Sequence, residues 1–427
     1  MSGLNHIITT EILTALHQER MKEEGTTESR IFPFQKNQFN KVATENDTRT
    51  IDTMLIKSRT QAVASSSTPC DPTSLIMWTG TWNVSAMDHP KDVDQKVRDM
   101  VEIDQREGCH VDIYVVGLQE VTSPLLASFD VTTAHNALFW EDALDRYFLN
   151  PMKNMKKLKI GHIGGTMIAI YVESSCYRYI SEVYVTDIPL GVLNCTKNKG
   201  AIGVRFRIHA DTICVACAHL TAGEGGVKCQ DRIKCCNRIQ EDMKFSTSMM
   251  YTSRKLKMGD HSKIIFMGDL NFRITRNSGL EAIKHADDND KPLSYEVMSD
   301  ILKRLRRFDE LLHSMAFNCV LKGFMEGELT FRPTYKYTPT GGTYDSITKR
   351  MPAWTDRILW KGDNIDLCSY DTKKHQRLRP QTTPCYFFHE VYIPCCRFSG
   401  QMTRQDDHLT INFVFFWRQF FWRQRRT

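Results

Sequence analysis

The stretch Lys263-Ile264-Ile265-Phe266-Met267-Gly268-Asp269-Leu270-Asn271-Phe272-Arg273 decides the fold. Ile264 to Met267 is an unbroken apolar run with β-branched and aromatic side chains, the composition of a strand covered on both faces. A glycine then interrupts it, and a carboxylate and an amide follow, where a buried strand comes out to water. Three more stretches share this design. Leu75-Ile76-Met77-Trp78-Thr79-Gly80-Thr81-Trp82-Asn83 delivers an amide, residues 112–120 deliver the carboxylate of Glu120, and residues 212–219 deliver the imidazole of His219. A fifth runs the other way, with Asp407-His408 opening the apolar strand from Ile411 to Phe416.

Strands buried on both faces require helices outside them. Residues 93–106, 137–149, 229–250 and 293–315 have helical periodicity. The alternation predicts one α/β domain of layered sheets over residues 74–416. Before it, Leu4, Ile7, Ile8, Ile12, Leu13 and Leu16 recur at the spacing of an amphipathic helix. From Gly25 the composition turns to Thr, Ser, Asn, Gln and Lys, so residues 1–73 read as a helix and a polar tether.

The chain has 427 residues, 41% hydrophobic and 25% charged, which excludes collagen, a coiled-coil rod and a wholly disordered chain. Fifty-six Lys and Arg against 50 Asp and Glu leave a charge of +6, too little for a nucleic-acid coating protein. No run of eighteen apolar residues occurs and the N-terminal stretch lacks the apolar core of a signal peptide, so a cytoplasmic location is expected. The 14 cysteines are then expected as reduced thiols. Cys214-Val-Ala-Cys217 has the spacing of a thiolate pair, but no second pair matches it, which favours structural thiols over zinc.

A hard cation takes oxygen ligands, and Mg²⁺ takes one or two carboxylates while keeping several waters. Glu120 suits that role. A second carboxylate beside an amide, with two imidazoles, supplies what hydrolysis of a phosphate ester needs: a charge clamp, a positioned water and donors to the phosphoryl oxygens. Taken singly each residue has a plainer reading, His219 as a satisfied core histidine or Asp356 and Arg357 as a buried ion pair beneath Trp354.

Thr81-Trp82-Asn83-Val84, Gln119-Glu120-Val121, Ala218-His219-Leu220, Gly268-Asp269-Leu270-Asn271-Phe272-Arg273 and Pro352-Ala353-Trp354-Thr355-Asp356-Arg357-Ile358-Leu359 occur in that order. Residues 198–206 and 331–337 add two further blocks. The set resembles the inositol polyphosphate 5-phosphatases over residues 75–416, and the stretch after His219 is most similar to the type IV, lipid-preferring branch. The resemblance implies an endonuclease/exonuclease/phosphatase fold, a four-layer sandwich of two mixed β-sheets flanked by helices. It implies that Glu120 holds Mg²⁺ with Asn83 beside it, that Asp269 orients or deprotonates the attacking water, and that Asn271 fixes its direction or a phosphate oxygen. His219 and His408 would donate to the scissile phosphate, and Asp356, with Asp407 beside it, would hold the His408 ring.

The substrate implied is a phosphoinositide headgroup, and soluble inositol polyphosphates as well. Tyr335, Lys336, Lys349 and Arg350, with Arg357, would contact the neighbouring phosphate, an arrangement for which a nuclease has no use. The motif departs from the family at Asp406-Asp407-His408-Leu409-Thr410, where Ser-Asp-His followed by a basic residue and Pro is expected. Losing that cation makes the local field more negative, so an inactive phosphoinositide-binding scaffold stays open beside the enzyme. Residues 417–427 hold four arginines, four aromatics and no acid, a mixture suited to peripheral contact with an anionic membrane.

Overall fold

The structure is a computed structural model that describes residues 74–86, 92–101, 111–122, 133–191, 198–249, 252–277, 279–288, 293–337, 344, 350–372 and 411–418. The N-terminal helix and tether read from residues 1–73 lie outside these.

Two six-stranded mixed sheets face one another. The first contains β1 (Ser74–Asn83), β2 (Ile113–Gln119), β3 (Met155–Ile163), β4 (Thr166–Glu173), β13 (Ile365–Thr372) and β14 (Ile411–Arg418), in the order β13-β14-β1-β2-β4-β3. The second contains β5 (Ile180–Pro189), β6 (Gly200–Ile208), β7 (Asp211–His219), β10 (Lys263–Asp269), β11 (Met325–Glu326) and β12 (Asp356–Lys361), in the order β11-β12-β10-β7-β6-β5. A hairpin of β8 (Lys244–Met249) and β9 (Thr252–Lys257) forms a separate two-stranded sheet whose Phe245 is buried in the core outside the second sheet.

The central strands β2, β4, β6, β7, β10 and β12 are buried on both faces, while the outer strands β3, β5 and β13 are partly exposed. Met77, Val115, Ile170, Val204, Val215, Ile265 and Ile358 fill the space between the sheets. Outside the first sheet, α1 (Val93–Val101) and α2 (Thr133–Phe148) lay Val97, Met100, Trp140, Leu144 and Phe148 against Trp78, Val116 and Tyr171. Outside the second, α4 (Gly226–Asp242) and α7 (Glu310–Ala316) contribute Ile233, Cys236, Ile239, Leu311 and Met315 to a core with Ala216, Phe266 and Leu359. The shorter helices are α3 (Ser174–Tyr177), α5 (Leu280–Asp288) and α6 (Tyr295–Arg306). Helix, sheet, sheet, helix is the four-layer sandwich expected from the continuous apolar runs. Each large side chain buried here contributes about 1.5–3 kcal/mol, so most of the stability resides in these three interlayer spaces.

Two helical expectations need correction. The helix read over residues 229–250 ends at Asp242, and Lys244–Met249 is the strand β8. Met243 and Phe245 are buried while Lys244 and Ser246 are exposed, an alternation of period two that the window of apolar residues blurred. The helix read over residues 293–315 is two helices, because Asp309 accepts the amide of Leu312 at 2.9 Å and starts α7 afresh. The basic run at its junction splits accordingly: Arg306 turns inward to Glu328 at 3.0 Å, while Lys303, Arg304 and Arg307 face solvent. The helix read over residues 93–106 is present from Val93 to Val101, and residues 102–106 lie outside the described residues. At the C-terminal end, β14 runs past Phe416 and pairs Trp417 with Leu75 and Arg418 with Ser74, so the first two residues assigned to a tail belong to the sheet.

Candidate active site

Strand register brings the site residues to one end of the sandwich. In the first sheet β1 and β2 are parallel with Asn83 opposite Gln119, so Glu120 follows beside it. In the second, β7 and β10 are parallel with His219 opposite Asp269, and β12 runs antiparallel to β10 with Asp356 opposite Asp269. The approach of β10 to β7 depends on Gly268, whose φ is 134° and where a Cβ would lie 1.9 Å from the Ala218 carbonyl oxygen. Two site residues occupy the left-handed region without being glycine, Glu120 at φ 53° and Asn271 at φ 56°. Such conformations cost on the order of 1–3 kcal/mol and persist where the surrounding structure enforces them.

The sheets meet through these side chains. Asn83 Nδ2 donates to Asp269 Oδ2 at 3.0 Å, and His219 Nε2 lies 3.4 Å from the same oxygen and 3.7 Å from Glu120 Oε1. Asn83 Oδ1 accepts the amide of Ser85 at 2.9 Å, so the Asn83 side chain orients Asp269 across the inter-sheet gap. Asp269 and His219 are buried, and Glu120 keeps 26% of its side chain exposed, which leaves it open to an approaching ligand.

Lys199 completes the group, with Nζ 2.5 Å from His219 Nε2. Burial pulls its ammonium below the ordinary lysine value, while Glu120 and Asp269 hold it up. When Lys199 is charged, Nε2 is the acceptor and the ring proton sits on Nδ1. Sequence reasoning passed over this residue. The signal was the Asn198-Lys199-Gly200 block, but only the antiparallel register of β6 with β7, Gly200 opposite His219, sets its lysine against the imidazole.

Asn271 is held from several sides. Its Nδ2 donates to the Leu220 carbonyl at 3.1 Å, and its amide donates to Asp269 Oδ1 at 3.1 Å. Arg273 Nε and Nη2 donate to its carbonyl and side-chain oxygens at 3.0 and 2.5 Å. Arg273 also lies over the ring of Tyr335, 4.3 Å from its centroid, and Arg350 Nη1 donates to the Tyr335 hydroxyl at 2.5 Å. Tyr335 and Arg350 therefore form one wall with Asn271, and half-buried Lys336 follows Tyr335.

Arg357 does not join that wall. It is 0% exposed; its Nε and Nη2 grip Glu326 at 2.6 and 2.5 Å, and Nη1 donates to both oxygens of Asp309 at 3.0 Å. The reason is the strand period: Asp356 faces the site, so the next residue points away from it. Arg357 is thus a structural cation, and its expected contact with substrate is corrected. It does not pair with Asp356, whose Oδ2 accepts the hydroxyls of Thr334 at 2.8 Å and Thr355 at 2.9 Å. Lys349, Asp407 and His408 lie outside the described residues, though β14 begins at Ile411 opposite Thr81, at the end of β1 that carries Asn83.

The donors facing the site are carboxylate and amide oxygens, the chemistry of a hard divalent cation. Among the described residues no three His, Cys, Asp or Glu side chains form a ready-made metal cage. Cys214 and Cys217 are buried free thiols within β7. Burial pushes the Cys217 thiol up to about 12, and its sulfur accepts from Gln119 Nε2 at 3.2 Å.

Residues 80–381 match the profile of the endonuclease/exonuclease/phosphatase family 2. The chain belongs to this family. Among curated relatives, the type II inositol 1,4,5-trisphosphate 5-phosphatase of Mus musculus is 32% identical over 61% of this chain and 25% of its own length. The type IV inositol polyphosphate 5-phosphatase 9 of Arabidopsis thaliana is 29% identical over 72% of this chain and 74% of its own. The chain thus spans about a quarter of the first relative and most of the second. Among solved structures, the inositol polyphosphate 5-phosphatase domain of SPsynaptojanin, in complex with inositol (1,4)-bisphosphate and calcium ion, aligns with a TM-score of 0.59. That alignment covers 87% of this chain and 90% of the other at 23% identity, and it establishes the shared fold of this family member.

Proposed function

We propose that the protein is a Mg²⁺-dependent phosphomonoesterase that removes the 5-phosphate of phosphoinositides such as PI(4,5)P2 and PI(3,4,5)P3, and of soluble inositol polyphosphates. The observation that carries this reading is the convergence of Asn83, Glu120, Lys199, His219 and Asp269 from both sheets within 3.7 Å contacts. The names of the curated relatives support the choice of a 5-phosphatase over a nuclease of the same fold. The substrates and the metal are this reading's own.

Asp269, aimed by Asn83, takes a proton from the attacking water as its oxygen bonds to phosphorus. Asn271, fixed by Leu220 and Arg273, sets the direction of attack. Lys199 and His219 meet the charge growing on the phosphoryl oxygens, joined by His408 with Asp356 and Asp407 orienting its ring. The ester bond to the inositol 5-oxygen breaks, and that oxygen takes up a proton to leave as a hydroxyl beside inorganic phosphate. Glu120 would hold the Mg²⁺, with Asn83 beside it; when bound, the ion supplies Lewis-acid stabilisation of the departing oxygen. Tyr335, Lys336, Lys349 and Arg350 receive the neighbouring phosphate. The enzyme works at the surface of an anionic membrane. No nucleic acid is required as partner, and a cytoplasmic site fits the substrates.

Phosphate release from PI(4,5)P2 and PI(3,4,5)P3 with and without Mg²⁺, with Asp269→Ala as control, tests the reading. Headgroup binding without magnesium-dependent release would replace it by the scaffold.

A further inference from the structure

We propose that Arg273 is a positioning residue that couples occupancy of the neighbouring-phosphate pocket to turnover, an inference that rests on the 5-phosphatase reading. Its geometry is that of a bridge. At one end two nitrogens of the guanidinium hold both oxygens of Asn271. At the other the same planar group lies over the Tyr335 ring, whose hydroxyl receives Arg350 from the rim. The main chain between is pinned, because the Arg273 amide donates to Glu310 Oε2 at 2.9 Å. Arg232 Nη2 donates to that same oxygen at 2.6 Å and reaches the carbonyls of Thr221 and Gly223, just beyond His219. Arg273 is 3% exposed and its Nη1 has no hydrogen-bond partner among the described residues.

With its backbone anchored, Arg273 meets the rim of the pocket through the Tyr335 ring. Arg350 holds the hydroxyl of that ring and is also the exposed cation that a neighbouring phosphate would grip. A bound second phosphate therefore fixes Arg350, Tyr335 and Arg273 in sequence, and Asn271 with them. Binding energy from a group that does not react is then expressed in the chemical step, and appears in kcat. A lysine at position 273 keeps the charge but loses the planar fork that can hold two oxygens and stack at once.

The test measures kcat and KM on short-chain, water-soluble phosphatidylinositol 4,5-bisphosphate and phosphatidylinositol 5-phosphate for wild type, Arg273→Lys, Tyr335→Leu, their double variant and Tyr335→Phe. Arg273→Lys is expected to lower kcat on the bisphosphate about tenfold with KM within about twofold, and to lose less on the monophosphate, so that the preference collapses. Loss of the stack should make the double variant no slower than the worse single variant. Tyr335→Phe, which keeps the ring and guards against misfolding of the others, should lose part of the bisphosphate preference. Multiplicative losses in the double variant, an effect confined to KM, or equal loss on both substrates would overturn the coupling while leaving the activity standing. A wild type that releases no phosphate from either lipid would sink the activity and the coupling together.

Discussion

Replacing Arg357 by methionine keeps the volume of the side chain and removes only its charge and donors. Two carboxylates are then left in the core, Asp309 with 0% and Glu326 with 2% of the side chain exposed. Asp309 retains the amide of Leu312 and Glu326 the hydroxyl of Tyr370, at 2.9 and 3.0 Å, which offsets part of the loss. Breaking a buried pair in this way costs about 3–5 kcal/mol. For a domain of roughly 300 residues that corresponds to a fall in Tm of about 5–8 °C. The sign with pH is also fixed. Burial already holds the Glu326 carboxyl above its ordinary value against the pull of Arg357, and without that cation it rises further. A carboxyl raised in the folded state contributes stability below its unfolded pKa that is lost as pH rises through the folded one, so the deficit against wild type should grow with pH. Urea melts at several pH values check this. The triple variant Arg357→Met, Asp309→Asn, Glu326→Gln should recover about half the loss, since it removes the stranded charges. A single variant within about 1 kcal/mol of wild type, or a large rise in KM at full stability, would refute the structural assignment.

Lys199→Met should lower kcat/KM about 100-fold, the usual cost of one donor to a growing oxyanion, with little change in Tm; an activity within threefold of wild type removes Lys199 from the site. Chelation with EDTA should abolish phosphate release, and added Mg²⁺ should restore it; activity that persists in chelator speaks against the role given to Glu120. His261 accepts Arg205 Nε at 3.1 Å and sits 3.0 Å from the Met258 carbonyl, and burial lowers its pKa. The unfolded chain then binds the extra proton first, so stability present above about pH 6.5 is lost as pH falls. Melts of His261→Gln should show a shallower decline between pH 7.5 and 5.5, and parallel curves would exclude the histidine. Deleting residues 419–427 spares the rungs that Trp417 and Arg418 make with β1, and should reduce flotation with anionic vesicles without lowering Tm. Deleting 417–427 should cost about 1–2 kcal/mol as well, from the two lost rungs; undiminished flotation of both would end the membrane role of the tail.

The strands and their ends were legible in the sequence because a strand covered on both faces leaves an unbroken apolar run, and the polar residue at its end is a local fact. Asn83, Glu120, His219 and Asp269 each close such a run, so the amino-acid order alone puts them at strand termini. Helix boundaries at Asp242 and Asp309 were less legible, since one hydrophobic window fits a helix and the element that follows it. What only the tertiary structure decided was which ends meet. Register sets Asp356 across from Asp269, turns Arg357 into a core cation, and brings Lys199, the residue just before β6, against His219, a contact that the Asn198-Lys199-Gly200 block does not by itself specify. The physical reason is that alternation along one strand is set locally, whereas the neighbour across a ladder is chosen by the packing of two whole sheets.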